Sequence, residues 1–482
     1  MGSGMRSIQS DGCASVARYR REMTARTLII AGATGDLTRR LLLPGLDTVL
    51  AAAEKHGRDL EIELVGVGRS ADAREEWAQI VREALGDGPL RKRVIASTRY
   101  EVADVGSRDD LLSLLASAQH EPVLYFALPP AISETAVASL RGAVLPEGTR
   151  FVLEKPFGRD RETAAALNAR LTDLLPESHV HRVDHFLGKS TVVNLLGLRF
   201  ANRVFDALWC AEHIERIDIV YDETLSLEGR ADYYDETGAL VDMIQSHLLL
   251  VHALVTMDAP ASIAAHDLHD AMATALARTH LLDRNAQTAS RRARYTAGTV
   301  DGTTVPDYAG EEGVDSQRGT ETLAEIMLEV DSPRWKGVPI VLRSGKAIGA
   351  PATEIRATLR PPAHRPNGLS GDQPTAAIRI SLSPEHLAID LDINGEGDPF
   401  DLERVQVSTT FGSGELDAYG EVIDGILGGD ETLSVRGDVA EECWRIIDEV
   451  LAAWREGSVP LEEYPAGSDG PAAWTQTLDA RS

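Results

Sequence analysis

Asp184, His185 and Lys189 stand within six residues of one another, in the stretch Arg182-Val183-Asp184-His185-Phe186-Leu187-Gly188-Lys189. An acid, an imidazole and an ammonium this close together can hold an anion or handle a proton. Beyond them Val192, Val193, Leu195, Leu196, Leu198 and Phe200 predict a helix with one buried side. Ser190 or Thr191 is expected to cap it, so that free N–H groups and a partial positive charge face what His185 and Lys189 face. A helix N-terminus beside two potential cations suits a phosphate.

A second signal lies near the start of the chain. Arg26-Thr27-Leu28-Ile29-Ile30-Ala31 reads as a buried strand and Gly32-Ala33-Thr34-Gly35 as a turn. Leu37, Leu41, Leu42 and Leu46 then mark the apolar side of a helix. Glycines at 32 and 35 let backbone approach a pyrophosphate while the helix end supplies donors. The next strand, residues 62–67, leads into Gly68-Arg69-Ser70 and carries no acid at its end. A guanidinium and a hydroxyl there match a ribose 2′-phosphate, whereas an acid would match a free 2′-hydroxyl. Strands at 122–128 and 149–154 bring Pro130 and Lys155 to carboxyl ends, where ligands of open α/β sheets sit. Amphipathic helices at 73–85 and 108–118 complete an alternation that predicts a doubly wound parallel sheet.

Further along, a strand at 214–222 leads to Glu223, and a helical stretch carries Asp242 and His247. Five residues apart on one helix, these two are expected to diverge somewhat while both border a cleft. A lone histidine in an apolar helix is more often a satisfied core residue than a base.

Several of these segments resemble the glucose-6-phosphate dehydrogenase family. Arg182–Lys189 resembles its RVDHYLGK string, Gly32–Leu37 its GASGDL, and Glu154–Gly158 its EKPFG. The run EGRADYYDETGALVDMIQSHLL, Arg294–Gly298, Gly319–Thr322 and Trp335–Lys346 have family counterparts too, so the resemblance spans about residues 26–473. It implies oxidation of D-glucose 6-phosphate at C1 to the 6-phospholactone, with hydride transfer to NADP. On that basis His247 is the base and Asp184 the carboxylate that holds it. His185 and Lys189 take the 6-phosphate, while Lys155, Glu223, Asp242 and Lys346 fix the sugar hydroxyls. Gly32, Thr34, Gly35, Asp36, Leu37, Arg69 and Ser70 bind the dinucleotide, with Lys155 orienting its nicotinamide. Chemistry supports the pairing: a neutral imidazole whose second nitrogen bonds a carboxylate keeps one tautomer and is favoured as it gains charge. No metal is required.

The chain also departs from the family pattern. Phe186 replaces the usual Tyr and removes one phenol from the phosphate site, a cost of about 0.5–1.5 kcal/mol. Ser246 replaces an Asn beside His247, Ala347–Ala352 lacks the usual basic residue, and Ile380–Pro384 lacks a Gln. The expectation is a divergent member that keeps the chemistry and alters part of the sugar perimeter. The alternatives are a dehydrogenase of another sugar or sugar phosphate, and an NADP-binding regulatory protein with weak catalysis.

At 482 residues the chain calls for two domains. An N-terminal Rossmann-like α/β domain is expected over 25–183, after a disordered 1–24 without the apolar core of a signal peptide. An α+β domain is expected over 184–482, where strands at 326–330, 353–359, 376–383, 387–391 and 404–410 lack regular crossover helices and predict a large, mostly antiparallel sheet. The resemblance implies a homodimer or homotetramer built on that sheet. A formal charge of −27 argues against nucleic acid and anionic membranes as partners. No apolar run is read as long enough to span a bilayer. Cys13, Cys210 and Cys443 are widely spaced and read as reduced thiols of a cytoplasmic protein.

Overall fold

The structure, a computed structural model, describes residues 25–227, 231–371, 375–412 and 414–474, the side chain of Asp232 excepted. The expectations for residues 1–24, Cys13 included, and for Glu228-Gly229-Arg230 lie outside the described residues.

The first sheet is built from β1 (Arg26–Ala31), β2 (Ile62–Gly68), β3 (Arg99–Val102), β4 (Glu121–Phe126), β5 (Arg150–Glu154) and β6 (Val180–Val183). Its order is β3-β2-β1-β4-β5-β6, the doubly wound arrangement predicted. Strand β1 pairs in parallel with both β2 and β4, and all six of its residues are buried, which its apolar run allows. The strand order reverses between β1 and β4, so the chain leaving β1 emerges where such sheets bind ligands. Gly32 sits there with φ +95°, and a Cβ on it would lie 2.2 Å from the Ala127 carbonyl oxygen. Only glycine fits. Strand β3 and the helix Pro89–Ser97 were not predicted; only Tyr100 in β3 is buried, so this edge strand has no apolar alternation to reveal it.

The second sheet uses β7 (Ile214–Asp222), β8 (Thr279–Leu281), β9 (Ser290–Thr296), β12 (Leu323–Val330), β13 (Ile340–Gly345), β14 (Thr353–Leu359), β15 (Ala377–Leu382), β16 (Glu385–Asn394), β17 (Leu402–Thr410) and β18 (Leu461–Pro465). A separate hairpin joins β10 (Gly298–Val300) to β11 (Thr303–Val305). The order in the large sheet is β17-β16-β15-β14-β7-β13-β12-β9-β18, with β8 on β12. Pairing is parallel at β7–β13 and β9–β18 and antiparallel elsewhere.

The chain divides into two compact units that interleave in sequence, where a single boundary at 183/184 was expected. One holds the described residues up to Leu153 with Leu171–His181 and Glu415–Glu431; the other holds Glu154–Arg170, Arg182–Gly414 and the described residues from Thr432. The reason for the late return is packing. Within the first unit the helix Ala418–Gly428 lies against the helix Leu43–Lys55 so closely that a Cβ on Gly45 would meet Tyr419 at 2.9 Å. Arg58 and Asp424 also form a buried ion pair at 2.8 Å. In the second unit the helical run Tyr233–Thr256, 24 residues whose most apolar 18-residue window has a mean hydropathy of 1.5, is long and apolar enough to cross a membrane. This corrects the expectation that no such run exists. Its apolar window is 89% buried inside the fold, which makes it a core helix.

Candidate active site

The turn after β6 folds through three successive backbone bonds, Leu187 N–H to Asp184 O, Gly188 N–H to His185 O and Lys189 N–H to Phe186 O, each 3.1 Å. Asp184 Oδ1 also accepts the Phe186 N–H at 3.0 Å, which fixes the carboxylate against its own turn. The helix Ser190–Ala201 starts here, as predicted. Its N-cap is Lys189, without a side-chain cap, and the Thr191 hydroxyl is buried without a partner. The expected capping by Ser190 or Thr191 is therefore absent, which leaves the first N–H groups of the helix without a side-chain acceptor.

His247 reaches this turn from a different element. Residues Leu240–Leu248 form a π-helix, whose hydrogen bonds run i to i+5. That wider turn brings Asp242 and His247 onto one side, correcting the expected divergence. His247 Nδ1 lies 2.6 Å from Asp184 Oδ1, and both side chains are almost wholly buried. Burial works against charge on Asp184, but the hydrogen bond from His247, with the Lys155 ammonium nearby, holds its carboxyl below the usual range. Burial also depresses His247, and the nearby Lys155 ammonium adds to that, so Asp184 does not raise it back to the ordinary value. The pair thus rests as carboxylate and neutral imidazole. An ionised carboxylate only accepts, so Nδ1 carries the proton and Nε2 the free lone pair. Phe186 stacks on the imidazole with ring centroids 4.2 Å apart and 12° between planes, and His185 meets it edge-on at 4.7 Å.

Two lysine–carboxylate pairs belong to the same unit. Lys155, just past β5, donates to Asp242 Oδ1 at 2.8 Å and to the Asp242 carbonyl at 2.6 Å. Burial opposes its charge, yet Asp242 raises its pKa well above the ordinary value, and Lys155 lowers that of Asp242 in return. Lys346 donates to Glu223 Oε2 at 2.8 Å. The register explains this second pair: parallel β7 and β13 end with Asp222 opposite Gly345, so the next residue of each emerges side by side.

His185 departs from expectation. Burial pushes its pKa down to about 3, so it is neutral and Lys189 is the cation of the turn. Lys189 Nζ stands 4.0 Å over the Phe186 ring and 3.4 Å from the Tyr221 hydroxyl, with burial lowering its own pKa. Tyr221 was not singled out from the sequence. A signal existed: it lies two residues before Glu223, at the end of the strand that delivers that carboxylate. Asp184, His185 and His247 each place one ligand atom within 4.8 Å of the others, a set that could hold a metal ion and that sequence spacing does not bring together. With Nδ1 engaged by Asp184, the same geometry serves proton transfer.

The dinucleotide candidates lie in the first unit. The Gly35 N–H bonds the Gly32 carbonyl at 3.0 Å, and Thr38 Oγ1 bonds the same carbonyl at 2.9 Å, closing the turn that holds Thr34, Asp36 and Leu37. Arg69 and Ser70 are exposed just past β2; the Ser70 carbonyl accepts from the Tyr100 hydroxyl at 3.0 Å. Among the described residues Arg69 has no carboxylate partner. A glycine-only turn with an unengaged guanidinium at the next strand end fits a dinucleotide bearing a 2′-phosphate.

Two family models match the chain: "Glucose-6-phosphate dehydrogenase, NAD binding domain" over residues 29–194 and "Glucose-6-phosphate dehydrogenase, C-terminal domain" over 196–482. The chain is 39% identical to the glucose-6-phosphate 1-dehydrogenase of Gluconobacter oxydans, over 93% of this chain and 95% of that one. It is 34% identical to that of Treponema pallidum over 92% of each. A solved glucose-6-phosphate dehydrogenase in complex with glucose 6-phosphate superimposes with a TM-score of 0.84 at 26% identity, covering 95% of this chain and 98% of that one. The Mycobacterium avium enzyme gives a TM-score of 0.79 at 31% identity, covering 94% and 96%.

Proposed function

The chain belongs to the glucose-6-phosphate dehydrogenase family, and from that premise we propose that it oxidises D-glucose 6-phosphate at C1 to 6-phospho-D-glucono-1,5-lactone with NADP+. NADP+, when bound, accepts the hydride from C1. The observation that carries the proposal is the 2.6 Å contact between His247 and Asp184, sixty-three positions apart. His247 Nε2 takes the C1 hydroxyl proton as the carbonyl forms, and the resulting imidazolium is stabilised by the Asp184 carboxylate behind it. Lys189 neutralises the 6-phosphate and the neutral His185 contributes a hydrogen bond. The Lys155–Asp242 and Lys346–Glu223 pairs offer both donors and acceptors to sugar hydroxyls. Gly32, Thr34, Gly35, Asp36 and Leu37 would hold the pyrophosphate side of the dinucleotide, Arg69 and Ser70 the 2′-phosphate, and Lys155 the nicotinamide.

Association through the large sheet belongs to the same proposal. Leu391 and Ile393 on β16 and Val407 on β17 are 45%, 47% and 56% exposed, and strand alternation puts them on one face. Exposed apolar rows of this kind favour a self-complementary contact between two copies. The reduced cysteines Cys210 and Cys443 suit a cytoplasmic setting.

Initial rates with glucose 6-phosphate, unphosphorylated glucose and other hexose phosphates, each with NADP+ and NAD+, test the substrate and cofactor together. Reduction of NADP+ fastest with glucose 6-phosphate is expected. A faster reaction with another sugar phosphate would transfer the same machinery to that substrate, and no reduction with any sugar despite NADP+ binding would leave a regulatory role.

A further inference from the structure

The phosphate turn lacks a hydroxyl at position 186, and the molecule places one beside it from another strand. The Tyr221 hydroxyl, on β7, lies 3.4 Å from Lys189 Nζ. Its ring packs edge-on against Phe186, centroids 5.1 Å apart at 62°, and stands 4.9 Å under the same ammonium. Lys189 is therefore bracketed by two aromatic faces, of which Phe186 is nearly closed to solvent and Tyr221 is half-buried.

We infer that Tyr221 is a phosphate-binding residue, its O–H donating to the phosphate oxygen that Lys189 neutralises. An ammonium only donates, so in the Lys189–Tyr221 contact the phenol oxygen accepts and its own proton is left to give. Among the described residues the Tyr221 hydroxyl has no acceptor. A phosphate on Lys189 supplies one within reach, and a donor held by a strand is already oriented for it. Burial, with Glu223 nearby, keeps the phenol protonated. Position along the chain also fits: Tyr221 is the penultimate residue of β7 and Glu223 follows that strand directly, so one strand end presents a phosphate ligand and a hydroxyl ligand two residues apart. This inference rests on the sugar-phosphate reading of the site and adds the residue that completes its phosphate end.

The test is Tyr221→Phe, which removes the hydroxyl and keeps the ring between Phe186 and Lys189. KM for glucose 6-phosphate should rise about three- to tenfold, a larger change than in kcat, and competitive inhibition by inorganic phosphate should weaken by a similar factor. The rate with unphosphorylated glucose, measured in parallel, should fall far less. In the Tyr221→Phe background, Phe186→Tyr should recover part of the phosphate affinity, which a merely structural defect would not. Direct titration of inorganic phosphate into both proteins keeps the question separate from turnover, so failure of the wild-type enzyme to oxidise glucose 6-phosphate would sink the functional proposal alone. Equal phosphate affinities for wild type and Tyr221→Phe, or equal losses with glucose and glucose 6-phosphate, would overturn the role of Tyr221.

Discussion

At the scale of single residues, the Asp184–His247 pair is set up so that charge develops where it is wanted. Two unit charges 4 Å apart attract by about 4 kcal/mol at an effective dielectric of 20, and His247 gains that attraction only once it has taken the substrate proton. The ground state pays nothing comparable because the imidazole is neutral. Asp184→Asn leaves the shape and removes both the attraction and the tautomer control; kcat should fall by about 10⁴-fold, as measured by the appearance of reduced cofactor. His247 works unprotonated and its pKa is depressed, so kcat/KM should hold down through the ordinary histidine range and fall only at lower pH. An acid limb above that range would contradict the resting state described. At the other end of the reaction, Arg69→Ala should weaken NADP+ binding about ten- to a hundredfold and leave NAD+ nearly untouched, read by titration of each nucleotide. Equal losses would detach Arg69 from the 2′-phosphate.

At the scale of elements, the site depends on local geometry that hydrophobic periodicity does not report. Strands β1, β2, β4 and β5, the doubly wound character of the first sheet and most strands of the second were legible because buried strands are apolar runs and sheet ends attract glycine and proline. The π-helix Leu240–Leu248 was not, since one widened turn leaves the apolar pattern almost unaltered. Nor was the Lys346–Glu223 pair, which register creates between strands more than a hundred residues apart in sequence. The identities of Asp184, Lys155 and His247 came from family-like strings; the neutral state of His185 and the aromatic bracket around Lys189 came only from burial. One residue ties the π-helix down. Glu321 Oε1 accepts the Leu240 N–H at 2.9 Å, next to Gly238 at φ +63°. Burial raises its pKa to about 7 despite that bond. A carboxyl raised this way favours the fold while protonated and loses that contribution as pH rises through 7. Glu321→Gln keeps an acceptor for Leu240 without the charge, so its stability relative to wild type should improve by about 2 kcal/mol between pH 5 and pH 8 in denaturant titrations. A constant difference across that range would mean that Glu321 is not the titrating group.

At the scale of the whole molecule, a net charge of −27 coexists with a substrate that is itself an anion. The conflict is resolved locally: Lys155, Lys189 and Lys346 are drawn into one unit, and the excess of acids is left to keep the surface soluble. The uncovered apolar row on β16 and β17 is the exception on that surface. Val407→Asp places a charge within it and should shift the sedimenting species toward monomer, with the single chain still folded by circular dichroism. An unchanged sedimentation coefficient would remove this face from the assembly.

The most direct measurement is single-turnover oxidation of glucose 6-phosphate by His247→Asn, with substrate affinity determined on the same protein. Proton removal by His247 predicts a rate lower by about 10²- to 10⁴-fold with affinity within a few-fold of wild type. A His247→Asn protein that turns over at the wild-type rate would contradict it.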